Sequence, residues 1–397
     1  MNTTKIRELL HKWNIFGKYD VDKMLKQIVY YFRQLQVPVT PMTVTLFIGV
    51  LFRDKSQKNI RNEAYLIENY FEEILEKLSD EETDHELDFK EKESFLIYIA
   101  KTMVDSDTYE WTLAKYEEVK INYFKKFDED IPRESTFNSF FSKQILANNN
   151  RIITFKFRFW LNFFIARGMQ KDKEFDSKLM SREDYLRFST AIAYKAGLLR
   201  DDHALLAEID KRTSSAMHEI LGQQQELIYE MNLFQKSIVL LTKQVKSDII
   251  EKNHLEIKDA ASDQMYLQNV DQLENTSISN DADDELEKAI RLITLESDIL
   301  RNTRELTAED RKLYISKNVD YYIGTMWASI EDFKLFIHDI SIREIYEILL
   351  GEEIDVLKNE RTEELVKKMQ EIIYRVLPVS VILHMSDHMG NAKCHSL

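Results

Sequence analysis

Eight glycines and four prolines among 397 residues leave this chain few places to reverse direction tightly. Strand-rich folds need such residues at every hairpin, because glycine reaches left-handed backbone angles without penalty and proline pre-sets the turn. Their scarcity predicts long helices joined by few loops, a mainly α fold, and argues against all-β and doubly wound architectures. A chain of this length also buries enough surface to need neither a disulfide nor a structural metal for stability.

Charge narrows the partners. The sequence holds 69 acidic and 54 basic side chains, a formal net charge of -15, so its overall field repels polyanions and nucleic-acid binding would need a local basic patch. The lone cysteine, Cys394, excludes an intramolecular disulfide and fits a reducing compartment. The opening MNTTKIRELLHKW meets charges and a tryptophan before any apolar run, unlike a signal peptide, so the expected location is the cytoplasm. The longest apolar stretch, Met42 to Phe52, falls short of the roughly twenty residues that span a bilayer and reads as a buried helix, so no membrane contact is expected.

Periodicity places the elements. Ile67, Tyr70, Phe71, Ile74, Leu75 and Leu78 follow the three-four spacing of one helix face between Arg61 and Leu78. Thr40-Pro41 reads as a helix start, with the threonine as cap. Charge-dense residues from Asp80 to Lys92 read as a loop before a helix carrying Phe95, Leu96, Ile99 and Met103. From Ile152 to Trp160 the period becomes two, with Ile153, Phe155, Phe157 and Phe159 on one side, which predicts a strand. The run Asn148-Asn149-Asn150 then serves as the turn between that strand and a helix from about Ser135.

A seam of Met217, Ile220, Gln224, Leu227, Met231, Phe234, Ile238, Leu241 and Val245 alternates steps of three and four, as in a coiled coil. It suits a partner helix, and equally a long helix packed within its own domain. Acidic residues dominate from Glu251 to Glu285, and Asn275 to Asp284 reads as a linker. Helical patterns resume at Leu286 to Leu300, Arg311 to Trp327, Ile342 to Leu350 and Glu363 to Leu377, without a strict repeat. The expected organisation is a helical domain over 1–87, a unit over 88–170, a helical domain with the heptad seam over 171–255, an acidic linker over 256–285 and helical hairpins over 286–397.

Chemistry is harder to find. Gly17-Lys18 lacks the preceding glycine and strand that a phosphate-binding loop requires, and no glycine-flanked serine could form a nucleophile elbow. No catalytic residue, cofactor or enzymatic activity is therefore expected. His384 and His388, one helical turn apart and followed by Cys394 and His395, offer zinc-type ligands but lack a second pair at ligand spacing, so no metal site is assigned. Arg200-Asp201-Asp202-His203 is accounted for by capping of the helix that follows. Lys156, Arg158 and Arg167, interleaved with Phe155, Phe157, Phe159 and Trp160, could form a wing against a nucleic-acid backbone, and a packed strand with one solvated face gives the same pattern.

Several segments resemble the helical region that follows the nucleotide-binding core of bacterial STAND NTPases, the NACHT-related signal-transducing ATPases. In order these are VPVTPMTVTLFIGVLF, NEAYLIENYFEEILEKL, DFKEKESFLIYIAKTMV, ITFKFRFWLNFFIARGM, YLRFSTAIAYKAGLLRDD and SDILRNTRELTAEDRKLYISKNVDYYI. The fourth is similar to the strand and aromatic helix that close the winged-helix segment of that family. The resemblance spans about two thirds of the chain and rests on core and turn residues, so it carries fold further than chemistry. It implies a multi-helical array with a small winged-helix-like unit near Asp88 to Met169 that contains a short β element, followed by long helices and helical hairpins. It also implies a regulatory arm that senses or relays a signal, often in defence against phage. The sequence contains no phosphate-binding loop, so the expected role is a non-enzymatic sensor or adaptor that binds a protein, such as a separate NTPase or effector subunit. A winged-helix DNA-binding regulator is the alternative.

Overall fold

The computed structural model describes residues 3–13, 20–34, 44–45, 47–48, 63–76, 87–128, 131–132, 134–199, 203–222, 285–303 and 305–339. Among them the fold is mainly α, with twelve helices and one small sheet. It divides into two compact units, the second beginning at His203.

In the first unit, α1 (Thr3–Trp13) and α2 (Val21–Gln34) pair through Ile6, Leu10, Leu25, Ile28 and Phe32, all buried. Next come α3 (Glu63–Glu76) and α4 (Phe89–Ser106). Of the charged stretch expected to be loop as far as Lys92, residues 89–92 already belong to α4. The reason is a capping box: Asp88 accepts from the Glu91 amide at 2.8 Å and Glu91 accepts from the Asp88 amide at 2.6 Å, which satisfies two amides that a helix start leaves open.

After α4 the order is β1 (Trp111–Thr112), α5 (Leu113–Lys126), α6 (Glu134–Ser142), β2 (Leu146–Asn149) and β3 (Ile152–Phe155). The strands form an antiparallel sheet in the order β1-β3-β2, with Trp111 opposite Ile153 and Leu146 opposite Phe155. Helix, strand, two helices and a hairpin thus follow one another in this part of the chain. Its core centres on Phe95 of α4, which is fully buried and lies 5.2 to 6.0 Å from the rings of Tyr123, Phe124, Phe137 and Phe140. Each such buried ring contributes about 1.5–3 kcal/mol.

Two expectations about the strand need correction. It ends at Phe155 instead of running to Trp160, because Phe159, Trp160, Phe163 and Phe164 are all buried and only a helix brings that spacing to one face. They belong to α7 (Arg158–Lys171), whose Trp160, Phe163 and Phe164 lie 5.1 to 5.8 Å from Phe71 of α3. Nor does the asparagine run join a helix to β3. Asn148 and Asn149 belong to β2, and the turn is Asn150-Arg151, with φ of 53° and 69°. Positive φ at both central residues is what the type I′ turn of a two-residue hairpin demands of its loop.

α8 (Lys173–Met180), a 3₁₀ turn (Tyr185–Phe188) and α9 (Ser189–Leu199) complete this unit. Both α8 and α9 pack on α7, and α9 also reaches α3, so packing is continuous across the boundaries read from sequence at 87/88 and 170/171.

The second unit contains α10 (His203–Leu221), α11 (Glu285–Asn302) and α12 (Ala308–Asp339). Helix α12 runs well beyond the expected Arg311 to Trp327. It crosses α10 at Gly324, where an added Cβ would stand 2.6 Å from Met217 Cε and 2.9 Å from Leu221 Cδ1. A hydrogen is all that fits between the helices there. No helix among the described residues is long and apolar enough to cross a membrane.

Candidate functional site

Exposed polar side chains gather on the outer face of α6 and at the β2–β3 turn. Helix α6 turns Thr136, Phe137 and Phe140 into the core, which leaves Glu134, Ser135, Asn138 and Ser142 exposed. Beyond it, Asn148, Asn149, Asn150 and Arg151 are exposed around the turn, where the Asn148 side chain accepts from the Arg151 amide at 3.1 Å. Amides and hydroxyls dominate this surface. Along α6 and the turn, Arg151 is the one exposed cation among the described residues.

The nearby lysine that could have supplied charge is turned inward. Lys120 of α5, with 5% of its side chain exposed, binds Glu117 at 2.6 Å and Glu134 at 3.0 Å and lies over the Phe137 ring. Burial works against its charge, yet the hydrogen bonds to Glu117 and Glu134 hold its pKa above the ordinary lysine value. This pairing also fixes the start of α6 against α5.

The three cations singled out in the sequence do not form one wing. Lys156 and Arg158 are exposed, but they follow the Phe155 end of β3, whereas the hairpin turn adjoins Ile152. Arg167 donates through Nε to Glu93 at 2.7 Å and lies 3.2 Å from Glu68, tying α7 to α4 and α3. Glu93, 4% exposed, also receives Lys171 at 2.6 Å. Arg167 is thus an internal strut. Of the heptad seam, Met217 is buried against Gly324 and Ile220 is half-buried near the end of α10. Gln224, Leu227, Met231, Phe234, Ile238, Leu241 and Val245 lie outside the described residues. So do Gly17, Lys18, the capping segment Arg200 to Asp202, the linker Asn275 to Asp284, the helices expected after Ile342, and His384, His388, Cys394 and His395.

Sequence reasoning missed a polar focus in the core of the second unit. Glu296 on α11 is fully buried, as are Ser297 beside it, Thr213 on α10 and Asn318 on α12. The Ser297 hydroxyl donates to Asn318 Oδ1 at 2.6 Å. Asp210 on α10 holds Lys317 at 2.7 Å and the Tyr321 hydroxyl at 3.1 Å, both from α12. A signal was present: Ala289, Leu292, Ile293, Ile299 and Leu300 form the buried stripe of α11, and position 296 falls on it. Among the described residues no group of three or more His, Cys, Asp or Glu side chains is placed to hold a metal.

Comparison adds no relatives: no family model, curated protein or solved structure matches the chain significantly.

Proposed function

We propose that this chain is a non-enzymatic adaptor that binds a protein partner through the outer face of α6 and the β2–β3 turn. The observation that carries this reading is the chemistry of that face: Ser135, Asn138, Ser142, Asn148, Asn149 and Asn150 offer donors and acceptors, while Lys120 is committed to Glu117 and Glu134. Binding to nucleic acid draws its affinity from cations that displace counterions from phosphates, and a protein interface does not need them. The resemblance to the arm of STAND NTPases supports a sensing or relaying role in the cytoplasm, with a separate NTPase or effector subunit as the partner and antiviral defence as the setting.

The test is a photo-crosslinking residue at Asn138 or Asn149 in the full chain, expressed in its native host. With the crosslinker at Asn149, crosslinks to one defined protein, lost on Asn138→Arg and retained on Lys288→Arg in the other unit, are expected. Crosslinks to nucleic acid alone, or sustained ATP hydrolysis by the purified chain, would overturn the reading.

A second reading, a DNA-binding regulator, is favoured by the order of helix, strand, two helices and a hairpin together with the exposed Lys156 and Arg158. It requires salt-dependent duplex binding that Lys156→Glu and Arg158→Glu abolish. No binding at low salt would end it.

A further inference from the structure

We propose that Glu296 is a proton-operated latch for the α10–α11–α12 bundle: uncharged, it sits in the core, and on losing its proton to solvent it drives α11 out of its packing. This inference stands apart from the partner reading above and concerns the other unit. Glu296 is 0% exposed, and neither of its carboxyl oxygens meets a hydrogen-bond donor in good geometry. A carboxylate left that way loses its hydration without replacement, whereas a neutral carboxylic acid loses far less.

Among the described residues, the balance of the groups around it favours the neutral form. On α10, Asp210 is a like charge; it pairs with Lys317 and accepts from the Tyr321 hydroxyl, both of α12, so Lys317 is committed to another acid. Thr213, also on α10, donates its hydroxyl to Ile209 O at 2.9 Å. On α11, Ser297 bonds to Asn318, and Asp298 pairs with Arg301 at 3.2 Å. On α12, Tyr314, Tyr321 and Tyr322 bring no charge at neutral pH, and the Asn318 amide nitrogen, near enough to favour the anion, is not aligned to bond it. Burial first, and the Asp210 charge second, push the Glu296 pKa up to about 8, against weaker opposing pulls from Thr213, Asn318 and Lys317.

The direction follows from linkage. In an opened bundle Glu296 meets water and titrates near its ordinary 4.5, whereas in the closed bundle it holds its proton to about 8. Opening is therefore unaffected by pH below the lower value, becomes easier as pH rises between the two, and levels off above the upper one. Within that window a single proton makes opening about tenfold more favourable per pH unit, and the window includes neutral pH.

Native-state hydrogen exchange of the α11 amides in the full chain, corrected for intrinsic exchange, measures that opening. Between about pH 5.5 and 8, at the single-proton slope of one decade per unit, wild type is expected to open about tenfold more per unit, and Glu296→Gln to show a flat profile. A flat wild-type profile, or an equal rise in Glu296→Gln, would overturn the latch. If the glutamine variant does not fold, carbon-13 titration of the glutamate side-chain carboxyls in wild type decides. One midpoint near 8 upholds the proposal, and midpoints that all lie near 4.5 overturn it.

Discussion

Removing the Glu93 carboxylate should unsettle the first unit more than any surface change, and the structure sets how much. Glu93 accepts from Arg167 Nε and Lys171 Nζ while only 4% exposed, so Glu93→Leu leaves Arg167, itself 16% exposed, with a buried charge and a weakened set of partners. Breaking a buried pair from one side costs about 3–5 kcal/mol. The lower end applies here, because Arg167 keeps Glu68 at 3.2 Å and Gln170 at 3.0 Å, and Lys171, 44% exposed, can turn to water. The expected loss is thus about 3 kcal/mol, and a similar loss follows from Arg167→Met. The double variant removes both charges together and should be more stable than the sum of the singles predicts, by about 1–3 kcal/mol of coupling. Urea unfolding of the full chain followed by tryptophan fluorescence is suitable, since Trp111 and Trp160 are both buried in this unit. With a slope of about 2–3 kcal/mol per molar urea, each single variant shifts the midpoint down by about 1 M or slightly more. Losses that simply add, or singles that unfold with wild type, would refute the view of Arg167 as an internal strut and return it to the candidates for ligand contact.

Three further outcomes are expected. Gly324→Val should destabilise the second unit by about 1–3 kcal/mol through overpacking against Met217 and Leu221, partly relieved by Met217→Ala, with thermal unfolding of both variants as the check. Asp88→Ala should remove the capping box of α4 at a cost of about 1 kcal/mol, read from urea midpoints, while Glu91→Gln, which keeps an acceptor, loses less. Asp184 is held down to about 2, mainly by hydrogen bonding from Arg182 and further by Arg187. Its stabilising effect is present above the ordinary aspartate value of 3.8 and lost as pH falls through about 2, so a carboxyl titration with a midpoint at 3.8 would contradict the arginine fork.

What the sequence revealed and what it hid follow from the range of each interaction. Phe95, Leu96, Ile99 and Met103, read as one helix face, are all fully buried, because a three-four spacing is local and survives any tertiary arrangement. Helix α3 was legible for the same reason. Strand β1 was not, since two residues, Trp111 and Thr112, cannot display a period. β3 was overextended because Phe157 and Phe159 continue its alternation while the burial of Phe159 and Trp160 against α3 decides for helix. The role of Arg167 was out of reach altogether: its partner Glu93 lies 74 positions away, and no pattern of neighbours encodes that. Glu93 and Glu296 share one readable sign, a carboxylate on an apolar stripe. Sequence spacing locates such a residue but cannot tell a paired acid from a lone one, and here one is paired and the other is not.

That contrast bears on what the chain can bind. In the first unit Lys101 is bound to Asp172, Lys178 to Asp105 at 2.7 Å, and Lys195 to Asp176 at 2.8 Å, as Arg167 and Lys171 are to Glu93. A chain with a net charge of -15 has acids in excess of the cations that can pair with them. The resulting field draws a cationic surface from a distance, and the uncharged α6 and turn residues then select by hydrogen bonding at contact. Partner association should accordingly slow as salt is added while the dissociation rate changes little, because steering is screened over a Debye length and the short-range contacts are not. An acidic partner whose association quickens with salt would show that the field opposes the encounter, and would refute this account.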